Sequence, residues 1–219
     1  ANLPDRPLAY TTRIYASEAE TVQLCGKASG PLFVDIKGCI FSLEAHKAVA
    51  PGDICLSKVH REWARVGMGM EVFVKQFVPP PAFDLGSVKL EVDLFLKPAA
   101  ADPKVELKDE DLEAIIRQRF EKQILSSSQT IVLDFEAKVL KLTVLGLQPV
   151  DLGSGTAAAK VNSGMFTSMS ELDLQNGPSG KLHILSNKVQ HRSIFRPDFD
   201  FEELGIGGVS KEVGNIVRP

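Results

Sequence analysis

Up to Pro79 the chain is built of short apolar runs separated by turn residues, and few of them carry a helical period. The segment PLFVDIKGCIFSL, Pro31 to Leu43, places two apolar runs around Asp35-Ile36-Lys37-Gly38, which predicts a β-hairpin. VAPGDICLS, Val49 to Ser57, repeats the design around a Pro-Gly-Asp turn, and GMEVFVKQFV, Gly69 to Val78, adds a third β-rich run. No helix is expected before Pro79. Many short strands with few helices favour a closed barrel, because closure removes exposed sheet edges.

Three consecutive prolines, Pro79 to Pro81, cannot continue a central strand and set a boundary between two lobes. Beyond them SVKLEVDLFL, Ser87 to Leu96, alternates as a half-buried strand. DEDLEAIIRQRFEKQIL, Asp109 to Leu125, has Leu112, Ile115, Ile116, Phe120 and Ile124 at helical spacing, with acids in its first turn and Lys122 late, as the helix dipole favours. TIVLDF and VLKLTVLGL read as a hairpin pair, and VNSGMFTSMSELDL supplies weaker strands. The second lobe is therefore α+β. From FRPDFDFEELGIGG onward an acidic, glycine-bearing stretch reads as a linker leading onward.

Composition narrows the function classes. With 219 residues and 44% hydrophobic content, the chain can hold one large domain or two small lobes. A net charge of −3 with interspersed signs gives no field for nucleic acid, so a charged partner must meet a local patch. The first twenty residues have no apolar signal core, and no run approaches the roughly 20 apolar residues of a membrane span. Cys25, Cys39 and Cys55 are odd in number and lack metal spacing, which fits a reducing cytosol.

The sequence holds little that resembles catalytic chemistry. Gly26-Lys27 and Gly180-Lys181 lack the glycines and the Ser/Thr of a P-loop, and GIGG, Gly205 to Gly208, lacks dinucleotide-binding spacing. Asp198, Asp200, Glu202 and Glu203 only loosely imitate a calcium loop. His46, His60, His183 and His191 form no ligand pair, and Ser154 and Ser179 lack the nucleophile-elbow glycines. SKVHREWARVGMG concentrates Lys58, His60, Arg61, Trp63 and Arg65. A barrel loop with a packed tryptophan and ordinary surface arginines is the commoner source of such a composition; the alternative is a binding patch, since arginine beside an aromatic anchor is enriched at interface hot spots.

VAPGDICLS, HREWARVGMGMEVFV, FVPPPAFDLGSVKLEVDLFLK and FRPDFDFEELGIGG, in that order, resemble the N-terminal domain of the N-ethylmaleimide-sensitive factor (NSF) family of AAA ATPases, which disassemble SNARE complexes in vesicle fusion. QFVPPPAFDL looks most like the plant and protist members. The resemblance covers nearly the whole chain and is weakest over Asp151 to Lys188. It implies a fold class of mixed β and α+β: a double-psi β-barrel over residues 1–79, an inter-lobe linker at 80–84, an α+β lobe at 85–193, and a linker at 194–219 into an ATPase domain.

The resemblance also implies a function and a site. Gly205, Ile206, Gly207 and Gly208 approach the adenine pocket of an ATPase domain that this fragment lacks, so no catalytic residue, metal or cofactor is expected in it. ATP and magnesium belong to the full-length enzyme. In the family a basic groove between the lobes receives the acidic end of the adaptor alpha-SNAP. Arg61 and Lys97 match family basic positions, Glu62 and Pro98 replace two lysines, and Lys58 and Arg65 stand near enough to supplement them. A cytoplasmic monomer is implied, recruited to membranes through SNAP–SNARE complexes and hexameric only as a full-length protein. Competing readings are an N-domain of a ubiquitin-pathway AAA ATPase and a double-psi-barrel enzyme. The latter needs a catalytic constellation that the sequence does not display.

Overall fold

The computed structural model describes residues 3–4, 6–26, 30–96, 99, 103–150 and 161–186, all within one compact unit, Ala1–Ser186. After a 3-10 helix at Arg6–Tyr10, the first lobe runs β1 (Arg13–Ala16), α1 (Glu18–Cys25), β2 (Leu32–Ile36), β3 (Cys39–Ala45), β4 (Ile54–Cys55), α2 (Lys58–Ala64) and β5 (Lys75–Phe77). Its sheet order is β4-β1-β3-β2-β5, with β1 parallel to β3 and the other pairs antiparallel. The β2–β3 hairpin turns through Lys37 and Gly38, both at positive φ (56° and 83°), and the Asp35 carboxylate accepts the Gly38 N–H at 2.6 Å. Such a turn matches the twist of the strands it joins. Ile14, Ala16, Val34, Ile36, Phe41 and Leu43 alternate inward to form the core of this lobe.

Two expectations for this lobe need correction. Helices do occur before Pro79, and both are too short to show a clear apolar period. Each is set by its cap instead. Ser17 accepts the Glu20 N–H while its hydroxyl donates to the Glu20 carboxylate, and Ser57 accepts the His60 N–H at 3.1 Å. Conversely, only Lys75–Phe77 of the Gly69–Val78 run is strand, since β2 ends at the hairpin and offers no further partner.

The second lobe comprises β6 (Leu85–Leu94), β7 (Val105–Lys108), α3 (Asp109–Phe120), β8 (Gln123–Ser126), β9 (Thr130–Phe135), β10 (Lys138–Pro149), β11 (Ser163–Phe166), β12 (Glu171–Asn176) and β13 (Leu182–Leu185). A four-stranded sheet, β12-β6-β10-β9, carries the core, with β11-β8 and β13-β7 as separate pairs. Leu112, Ile116 and Phe120 bring one face of α3 onto that core. The helix ends at Phe120, earlier than its apolar spacing suggests. Lys122 takes a left-handed φ of 60° and donates its N–H to the Phe166 carbonyl, so Ile124 enters a strand paired with β11. Gln123 Nε2 then donates to the Arg119 carbonyl at 2.8 Å, satisfying one of the helix-end acceptors. The whole has the mixed β and α+β class expected, a double-psi barrel followed by an α+β lobe.

Candidate functional site

Helix α2 is the element that presents the basic residues singled out in the sequence. Its buried side, Val59, His60 and Ala64, packs inward, with His60 and Trp63 edge-on to Phe41 at centroid distances of 5.5 and 5.0 Å. His60 is buried and its Nδ1 has no partner among the described residues; desolvation pushes its pKa down to about 4. It is a neutral packing histidine. Arg65 caps the helix in a left-handed conformation, φ 53°, where its N–H bonds back to the carbonyls of Arg61 and Glu62.

The helix separates its charges onto two faces. Val59, Glu62 and Trp63 line a cleft of about 360 Å³ between the lobes, completed by Phe95, Thr130 and Lys141 of the second lobe. Lys58 lies one turn from Glu62 and pairs with it at 3.7 Å, an exposed contact of little energetic weight. Arg61 faces elsewhere. Its Nη1 donates to the Leu56 carbonyl at 2.7 Å, and its side chain borders a larger cavity of about 600 Å³ within the first lobe. Arg65 is exposed, and its carbonyl accepts from Lys37 Nζ at 3.3 Å.

Lys97 lies outside the described residues, as do Gly205, Ile206, Gly207 and Gly208. Among the described residues the cation that lines the cleft is Lys141, which was not anticipated. It alternates with the buried Leu140 and Leu142 along β10, so its outward direction was readable, but the lobe it would face was not. Among the described residues no group of three or more His, Cys, Asp or Glu side chains could hold a metal ion. Cys39 and Cys55 are free thiols whose pKa values are raised, chiefly by burial, which makes them poor nucleophiles. No described helix is long and apolar enough to cross a membrane.

Several known proteins are similar to this chain along most of its length. A vesicle-fusing ATPase of Arabidopsis thaliana is 26% identical over 220 residues, covering 99% of this chain and 29% of the relative. The vesicular-fusion protein SEC18 of Saccharomyces cerevisiae is 27% identical over 191 residues, covering 82% of this chain and 25% of its own length. Over most of its length the chain is similar to vesicle-fusing ATPases. A vesicle-fusing ATPase of Caenorhabditis elegans matches similarly, at 27% over 207 residues, 82% of this chain and 24% of the relative. The chain thus spans less than a third of the length of these vesicle-fusing relatives. The family model for domain 2 of cell division protein 48 (CDC48) matches residues 108–164, from the end of β7 through α3, β8, β9 and β10 to the first residues of β11.

Proposed function

We propose that this chain is the adaptor-binding module of a vesicle-fusing ATPase, coupling ATP-driven motion elsewhere in the full-length protein to SNAP-bound SNARE complexes. The observation that carries the reading is its likeness to a vesicle-fusing ATPase along 99% of its length. The full-length protein would hydrolyse ATP with magnesium and assemble as a hexamer. This part would bind and not catalyse. It would work in the cytoplasm and reach membranes through its adaptor, alpha-SNAP.

The inter-lobe cleft is the proposed docking surface for an acidic segment of that adaptor. Lys141 and Lys58 supply positive charge at or beside it, and Lys97 follows in sequence from Phe95, which lines it. Arg61 lies on the same helix and Arg65 caps it. Glu62, facing the cleft, opposes an acidic partner. Calorimetric titration with alpha-SNAP tests this arrangement. Lys141→Glu and Lys97→Glu should each weaken binding by about tenfold, Glu62→Lys should strengthen it, and affinity should fall with added salt. Arg61→Glu and Arg65→Glu in the same series measure what the flanks add. Undiminished affinity in both lysine variants would remove the cleft as the site. No binding at all, beside capture by ubiquitin-pathway adaptors, would overturn the adaptor reading itself.

A further inference from the structure

The larger cavity lies wholly within the first lobe, between α1, the Ala50–Asp53 turn and the segment from Val66 to Val74. At about 600 Å³ it falls within the range of ligand sites, roughly 300–1,000 Å³. Three large apolar side chains stand open to solvent around it: Met68 is 61% exposed, Met70 51% and Phe73 88%. Exposure of this kind, gathered on one short segment, marks a surface that a partner covers. Methionines suit such a surface because their unbranched side chains adapt to different occupants.

The backbone beside the cavity is also open. Residues Glu71 to Val74 run directly into β5 but belong to no ladder, because β2 ends at Ile36, one residue beyond its last pairing with Lys75. Val72 and Val74 pack onto the lobe's core, whereas Glu71 and Phe73 alternate outward. This is the geometry of an edge strand that lacks a neighbour. The charges that line the cavity are mainly acidic. Among the described residues Glu20, Asp53 and Glu71 line it with one cation, Arg61, while Lys37 and Lys75 border the adjoining hollow on the other side of Glu71. Glu20 is already engaged, accepting the Gly52 N–H at 2.6 Å and the Ser17 hydroxyl at 2.8 Å, and one donor of Arg61 is taken by the Leu56 carbonyl. Asp53 and Glu71 are exposed carboxylates at the rim.

We propose that this cavity docks an extended peptide from a partner protein, laid along Glu71–Val74, with an apolar side chain among Met68, Met70 and Phe73 and a lysine or arginine against Asp53 and Glu71. An added strand gains main-chain hydrogen bonds from the open edge, and its alternate side chains enter the cavity, as strand-addition recognition requires. The acidic rim selects against the acidic adaptor proposed for the cleft, so this surface takes a different partner and does not rest on that reading. It equally disfavours anionic lipid, which the same carboxylates would repel.

Fluorescence anisotropy on the full chain tests the site, with a fluorescein-labelled peptide alternating leucine and lysine as probe and its leucine–glutamate counterpart as control. The lysine peptide should bind at least about tenfold more tightly than the glutamate peptide. Phe73→Ser and Glu71→Lys change only exposed side chains and should each weaken it by about tenfold, whereas Met169→Ser, at a residue 84% exposed in the second lobe, should leave it unchanged. Nitrogen-edited NMR spectra should show peptide-induced shifts concentrated on the amides of Gly69 to Val74. Equal binding of the two peptides, no saturable binding, or equal losses in all three variants would overturn the proposal. So would capture by phosphatidylcholine vesicles, unaltered by Glu71→Lys, in place of peptide binding.

Discussion

His60 shows how one residue ties the stability of the first lobe to pH. Its ring is held edge-on to Phe41 inside the lobe, and burial drops its pKa to about 4 from an ordinary 6.5. Well above pH 6.5 the ring is neutral whether the chain is folded or not, so it makes no pH-dependent contribution there. As pH falls below that value the unfolded chain takes up a proton that the folded chain refuses, and stability declines until the folded pKa is passed. By pH 5 this one group should lower unfolding free energy by about 2 kcal/mol, from the linkage relation applied to the two pKa values. Urea denaturation at pH 7 and pH 5 should show that loss in the natural sequence. A His60→Leu variant should lack it; an identical pH slope in both proteins would assign the decline to other groups.

At the scale of elements, what the sequence made readable was whatever a local pattern decides. The β2–β3 and β9–β10 hairpins follow from apolar alternation around two-residue turns, and α3 follows from its spaced Leu112, Ile116 and Phe120. Elements decided by one hydrogen bond or by a distant partner were missed. Helix α2 has seven residues, and its start depends on Ser57, while β7 and β13 are four-residue strands that exist because each pairs with the other. Ser57→Ala should therefore cost about 1 kcal/mol, the usual worth of a serine N-cap, and lower the thermal midpoint by several degrees. No change in midpoint would mean that packing of Val59, His60 and Ala64 alone holds the helix. The candidate surfaces were less readable than either. SKVHREWARVGMG was visible as a cluster, but α2 directs Glu62 and Arg61 toward different cavities, and only the folded helix reveals that separation.

For the whole molecule, the two proposed surfaces differ in what they need from the fold. The cleft exists only while the lobes stay in register, whereas the barrel cavity is built from the first lobe alone. Register is held by a small apolar seam in which Phe33 and Ile40 of the first lobe meet Ile124 of the second, flanked by Phe77, Phe83 and Met165. Phe77 and Phe83, with ring centroids 5.7 Å apart, bracket the proline run and fasten both of its ends to the seam. Ile124→Ala removes buried methyl groups from the middle of this cluster and should cost about 2–4 kcal/mol in urea unfolding, the range for large-to-small core changes. Its effect on binding should be unequal. Adaptor affinity should fall because Lys141 and α2 no longer hold a fixed spacing, while the leucine–lysine peptide should bind the barrel cavity as before. Parallel loss of both activities in a variant that remains folded by circular dichroism would show that the cavity too depends on the second lobe, and unchanged adaptor affinity would show that the seam does not set the cleft.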